Sequence, residues 1–189
     1  MLLAITSTPA GELLTLEEAK RHLRVYGSDL DDEITALIRA ARDDCERETN
    51  RTLRAAVTRT GKLCSWWSGS LTLPFPPLLN VTGITYYDSA NVSQTLAASN
   101  YHVLTSTDSV GRLEWSTTAT LPSLYTRPDA ITVTFTTGYS DLDSVPPVAV
   151  QAMKVKLTEL WGTGSESEMR AAVECSKRLL GKVDATSYV

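Results

Sequence analysis

The sequence is poor in the side chains on which most catalysis and metal binding depend. It has two histidines, His22 and His102. Neither has a cysteine or carboxylate at ligand spacing, so neither a zinc site nor a histidine acid–base pair is indicated. Its three cysteines, Cys45, Cys64 and Cys175, are odd in number and widely separated, with no CxxC. They read as reduced, structural thiols, and no base beside Cys64 would lower its pKa. Basic charge is also short: 18 Lys and Arg stand against 22 Asp and Glu, a net charge of -4. That excludes a broad basic surface for gripping nucleic acid, although not a local patch. No run approaches the roughly 18 apolar residues of a membrane span, so no membrane partner is expected. The opening MLLAITSTPAG has no basic segment and too few apolar residues for a signal peptide. GxGxxG, Walker A, GxSxG and HExxH patterns are missing. The acidic run Asp29, Asp31, Asp32 and Glu33 lacks the glycine and closing glutamate of a calcium loop. No catalytic residue, metal or cofactor is expected, and the chain should be made in the cytosol or packaged from it.

What is present is an ordinary globular composition, 42% hydrophobic and 21% charged, in a chain long enough to bury a proper core. The stretch from Thr15 to Arg54 carries the clearest pattern. Thr15 and Glu18 have capping-box spacing, with Leu14 and Ala19 as a weak staple. A first helix is expected from Leu16 to about Arg24, burying Leu16, Ala19 and Leu23 and stopping before Tyr26-Gly27-Ser28. In a second helix Ile34, Leu37, Ile38, Ala41 and Cys45 recur on one face, with Arg39, Arg42, Asp43, Glu46 and Arg47 on the wet one. The acidic cluster suits the positive end of that helix, and Asn50 a left-handed C-cap.

From residue 55 the period becomes alternating. Strands are expected within Ala55–Cys64, Ser70–Phe75, Asn100–Thr105, Gly111–Trp115 and Ala130–Thr137, with a hairpin over Val81–Leu96. Pro74, Pro76 and Pro77 mark an edge or connector, because proline cannot donate to a ladder. Helical spacing resumes after Pro146-Pro147, with Val150, Met153, Leu157, Leu160 and Trp161 on one stripe. Ser165 and Glu168 suggest a second capping box, followed by a fourth helix with Met169, Ala172, Val173, Ser176, Leu179 and Leu180 at helical offsets. The order predicts an α+β fold: a four-helix core of residues 1–54 and 145–181, an antiparallel β lobe of 55–144 inserted between its helix pairs, and a tail of 182–189.

Candidate contact residues are few. Trp66 and Trp67 lie in a short SWWSGS loop, and neighbours on an extended chain point opposite ways, so one is expected in the core and one exposed, where a partner chain would cover it. Arg39, Arg42, Arg47, Arg51 and Arg54, interleaved with Asp43, Asp44, Glu46 and Glu48, read as a salt-bridged outer face, with a subunit contact through Arg39 and Arg42 as the rival. Tyr188 and Val189 make the tail a further candidate contact.

Several blocks resemble, in order and spacing, the head-to-tail connector (adaptor, or head-completion) proteins of long-tailed bacteriophages, in the branch with a β insertion. They are TLEEAKRHLRV at 15–25, DDEITALIRAARDDCERETNR at 31–51, LPFPPLLNVTGITYYD at 73–88, the YHV and GRL pair, AITVTFTTGY at 130–139 and VPPVAVQAMKVKLTELW at 145–161. The chain departs from that pattern at Asn50, where a glycine is usual, and in the tail. The resemblance implies a structural virion protein at the head–tail junction, assembled in the host cytoplasm. Its implied partners are copies of itself, as a twelve-membered ring, the portal protein above and a head-completion or tail protein below. DNA would pass through the ring without specific binding, as suits an acidic wall. The rivals from other classes are a nucleic-acid-binding helix-turn-helix over 15–50, weakened by the acidic second helix, and a small hydrolase that would cluster His102 with carboxylates in a pocket.

Overall fold

The computed structural model describes residues 1–8, 11–105, 110–162 and 166–182. The chain is α+β, and its described residues form four α-helices and two antiparallel sheets. It divides into two compact units, one of Met1–Pro9 with Ala56–Ser140 and the other of Ala10–Ala55 with Asp141–Val189.

The second unit holds the helices. Helix α1, Leu16–Leu23, starts in a complete capping box: the Glu18 N–H donates to Thr15 Oγ1 at 3.2 Å, and the Thr15 N–H donates to Glu18 Oε2 at 3.0 Å. The Thr15 N–H, together with the Thr15 hydroxyl that donates to Glu18 Oε2 at 2.9 Å, holds the Glu18 carboxyl below the usual range, because each bond favours the charged form. The helix ends at Arg24, which turns left-handed at φ 58°. Helix α2, Asp31–Thr49, carries Asp31, Asp32 and Glu33 in its first turn and stops at left-handed Asn50. Helix α3, Pro147–Trp161, has proline in its first turn and a left-handed Gly162 at its end. Helix α4 spans Glu166–Leu180. The suggested capping box at Ser165 and the side chain of Met169 lie outside the described residues.

The helices bury Ala19, Ile34, Ile38, Ala41, Cys45, Ala149, Ala152, Met153, Leu157 and Leu180. Lys156 is buried with them and paired, its Nζ 2.9 Å from Glu48 Oε1 and 3.3 Å from Glu159 Oε2. Burial opposes its charge, but the bonds from these carboxylates win and hold its pKa above the ordinary lysine value. Burial, the largest influence, pushes the Cys45 thiol up to about 12, which makes it inert as a nucleophile.

The first unit holds the strands β1 Leu2–Ser7, β2 Val57–Leu63, β3 Ser70–Leu73, β4 Leu78–Tyr87, β5 Ser93–Thr95, β6 Tyr101–Leu104, β7 Gly111–Trp115 and β8 Ile131–Thr137. One sheet runs in the order β1-β2-β8-β4-β5 and the other in the order β3-β7-β6. Central β8 buries Ile131, Val133, Phe135 and Thr137 and leaves the threonines between them half-buried, the period-two signature of a sheet with one packed face. Leu73 and Leu113 of the smaller sheet join Leu78, Ile84, Ile131, Val133 and Phe135 of the larger in one core.

The N-terminal residues correct the sequence reading, which places residues 1–54 with the helices. Leu2–Ser7 instead forms a strand, paired with β2 from Leu2 opposite Lys62 to Ser7 opposite Thr58. No local turn ties this strand to its mate, so nothing in its own sequence announces the pairing.

Candidate assembly interface

The wet face assigned to the arginines of α2 needs correction. Arg39 and Arg47 are exposed, whereas Arg42 and Arg51 are only 5% exposed. Arg42 Nη2 lies 2.9 Å from Asp43 Oδ1, and its Nε faces Glu12 Oε2 at 3.4 Å, an ion pair without hydrogen-bond geometry. The reason is helical phase: Arg42 is four residues after Ile38, three before Cys45 and seven before Thr49, all of them buried, so it sits on the buried stripe with its stem covered and its head paired. Arg54 lies 3.4 Å from Glu46 Oε2, while Glu46 Oε1 accepts the Leu53 N–H at 2.8 Å. Glu46 therefore anchors the chain leaving α2. Among the other core candidates, Ile34, Ile38, Ala41, Met153 and Leu157 are buried, and Leu23, Leu37, Val150 and Leu160 are half-buried.

The paired tryptophans also differ from expectation. Residues 64–69 form a bend, not a strand, so opposite pointing does not apply, and Trp66 and Trp67 are both half-buried. Trp67 stacks on Trp115 with centroids 4.0 Å apart, and Trp66 meets Trp115 edge-on and Tyr86 tilted, each at 5.6 Å. Trp66 Nε1 donates to the Pro122 carbonyl at 2.9 Å, and Trp115 Nε1 donates to that of Trp67 at 3.0 Å. The four rings close one flank of the β core. Trp115 could not be assigned to this cluster from sequence, because only the pairing of β7 with β3 and β6 brings it there.

Among the described residues, reactive groups do not converge. His22 Nε2 lies 2.9 Å from Thr158 Oγ1. His102 and Glu114 sit opposite each other on the outer face of the smaller sheet, both exposed. Among the described residues no group of three or more His, Cys, Asp and Glu could hold a metal ion.

Exposed apolar side chains are spread over loops, with Leu30, Val92, Leu121 and Tyr125 among them, and over strands, where two edges carry a pair each. Four strands are edges: β1 and β5 of the larger sheet, β3 and β6 of the smaller. On β1, Leu2 is 73% and Ile5 54% exposed; on β6, Val103 is 37% and Leu104 47% exposed. Edges β3 and β5 carry no exposed large apolar residue. In the helical unit Tyr26, 92% exposed, projects from a turn braced by Lys20, which bonds the Gly27 carbonyl and pairs with Asp31 at 2.6 Å.

A helical unit and a small β-sandwich unit, with Arg42 and Lys156 buried and paired and aliphatic side chains exposed on the edge strands β1 and β6, define a structural module with surfaces open to association. Residues 13–109 match the family described as "Phage gp6-like head-tail connector protein". The chain belongs to that family, and its role is that of a structural head–tail connector. Comparison with curated proteins finds no match. Among solved structures, the fold is similar to a chain of the "Neck of empty GTA particle computed with C6 symmetry", at 22% identity and a TM-score of 0.78, over 98% of this chain and 96% of that one. It is likewise similar to a chain of the "Virion of native gene transfer agent (GTA) particle", at 22% identity and a TM-score of 0.76, over 98% and 96%. A third likeness is to the "Neck of native GTA particle computed with C12 symmetry", at 22% identity and a TM-score of 0.70, over 93% and 94%.

Proposed function

We propose that the protein acts in the virion as a ring, assembled in the host cytoplasm and seated at the head–tail junction, that extends the DNA channel below the portal and offers its lower surface to the next head-completion or tail protein. The family match over residues 13–109 carries this reading. The likeness in fold to chains of necks computed with C6 and C12 symmetry supports cyclic assembly and favours twelve copies under the portal. The role is mechanical and not enzymatic, which suits scattered histidines and an inert Cys45. Net charge of -4 suits a wall past which DNA slides without being held. Exposed Arg39 and the tail with Tyr188 and Val189, which lies outside the described residues, are the proposed contacts of the helical unit with neighbours.

Light scattering across a concentration series, with and without the portal protein encoded alongside this chain, tests the reading. A large ring, or a monomer that becomes one on the portal, is the expected result. A monomer indifferent to the portal at every concentration would overturn it.

A further inference from the structure

We infer that the open edge of β1 in one copy of this chain pairs with the open edge of β6 in the next, so that the β units join edge to edge around the ring. The inference rests on the cyclic assembly proposed above and adds the surfaces that carry it. An edge strand offers a row of unpaired N–H and C=O groups, and proteins usually blunt it with charge, proline or a bulge. Here residues 1–8, MLLAITST, hold no charged side chain and no proline. The one register shift in β1 falls between Ile5 and Ser7, leaving Leu2 to Ile5 regularly paired with β2 and regular along its outer side. Strand β6, YHVL, is equally bare of Lys, Arg, Asp, Glu and Pro. Both strands therefore lack charge and proline, the one bulge of β1 lies beyond its regular Leu2–Ile5 stretch, and both expose aliphatic side chains.

The occupant follows from symmetry. A ring needs a heterologous contact, two different patches that fit each other, and the β unit has two apolar edges on two different sheets. Pairing β1 with β1 would stop at a dimer and leave both β6 edges open. Edges β3 and β5 fit less well than β6, since the exposed side chains within them are Ser70 and Thr72 on β3 and Ser93, Gln94 and Thr95 on β5, which give Leu2 and Ile5 less apolar cover. Neither strand carries a like charge to repel the other. A contact of about four residue pairs is well below the ~1,200 Å² of a stable interface, so an isolated pair of copies dissociates readily. In a closed ring each copy is held on both sides, and assembly becomes cooperative in concentration.

The test uses full-length chain carrying Cys64→Ser and Cys175→Ser, which removes the two cysteines that are not buried, together with Ile5→Cys and Val103→Cys. A short bismaleimide is added across a concentration series, with and without the portal protein. The expected product is a ladder of dimer, trimer and higher species. Each single-cysteine variant alone should stay monomeric, and a mixture of the two should stop at dimer. Ile5→Lys should melt like the parent and lower the assembled fraction at least tenfold. Dimerisation of the Ile5→Cys variant alone would overturn the inference in favour of a symmetric β1 pair. Rings by light scattering without a ladder, or undiminished by Ile5→Lys, would overturn it while leaving the connector role standing. No rings and no ladder under any condition would overturn both.

Discussion

Gly111 of the smaller sheet stands directly against Leu78 of the larger one. A Cβ on it would lie 2.2 Å from Leu78 Cδ2 and 2.5 Å from Leu78 Cβ, and the second of these belongs to the rigid root of a buried side chain. Gly111→Ala should therefore cost about 1–3 kcal/mol through overpacking, read as a lower urea midpoint with an unchanged slope. Asp88 offers a second test at this scale, because its carboxylate closes the β4–β5 turn by accepting the Ala90 and Val92 N–H groups and Gln94 Nε2, each at 3.0 Å. The Val92 bond, followed by that of Gln94, holds its pKa below the ordinary aspartate value. A group depressed on folding binds its proton more readily in the unfolded chain. Its contribution is present above the ordinary carboxylate pKa and is lost as pH falls through the lower native value. Asp88→Asn should therefore flatten the acid limb of stability against pH, measured by urea unfolding from pH 7 to pH 2, with little change at the acid end. Arg42 marks what could have been read from sequence at this scale: its offsets from Ile38, Cys45 and Thr49 place it on the buried stripe, but a charged side chain is assigned to water by habit. Its partner Glu12, far along the chain, gave no such hint.

Elements were legible where local rules decide them. The Thr15–Glu18 box, Asn50 after α2 and Pro147 in the first turn of α3 are short-range devices that the structure uses as spaced. Alternation in ITVTFTT likewise identifies β8. Strand β1 is not legible in sequence because its six residues lack flanking turn chemistry and its mate β2 lies beyond both N-terminal helices. The side chains of Trp66 and Trp67 escape the alternation of a strand for a related reason: residues 64–69 bend between β2 and β3. Helix phase gives a quantitative prediction. Ile38 is 3% exposed, whereas Leu37 is half-buried at the border of the same face. Ile38→Asp should cost about 4 kcal/mol or more by burying an unpaired charge and should unfold the helical unit. Leu37→Asp should cost clearly less, because its carboxylate can reach water. Thermal melts followed at 222 nm separate the two, and equal losses would place both positions on one fully buried stripe.

At the scale of the whole molecule, the helical unit is assembled from two distant segments, Ala10–Ala55 and Asp141–Val189, with the strands of residues 56–140 between them in sequence. Neither helix pair buries its apolar face alone, and their meeting depends on contacts far apart in the chain, which cost loop entropy before they give stability. A peptide of residues 10–55 should therefore show little helix by circular dichroism and should gain it when a peptide of residues 141–182 is added. Full helicity in the first peptide alone would show that α1 and α2 need no partner. The sequence by itself determined the helices and most strands, the α+β class and the family, since caps, prolines and periodicity act within a few residues. Only the tertiary structure decided which edges stay open, that Arg42 and Lys156 are buried and paired, and that Trp66, Trp67, Trp115 and Tyr86 form one cluster. Each of these depends on groups brought together across long stretches of chain, whose encounter no local pattern encodes.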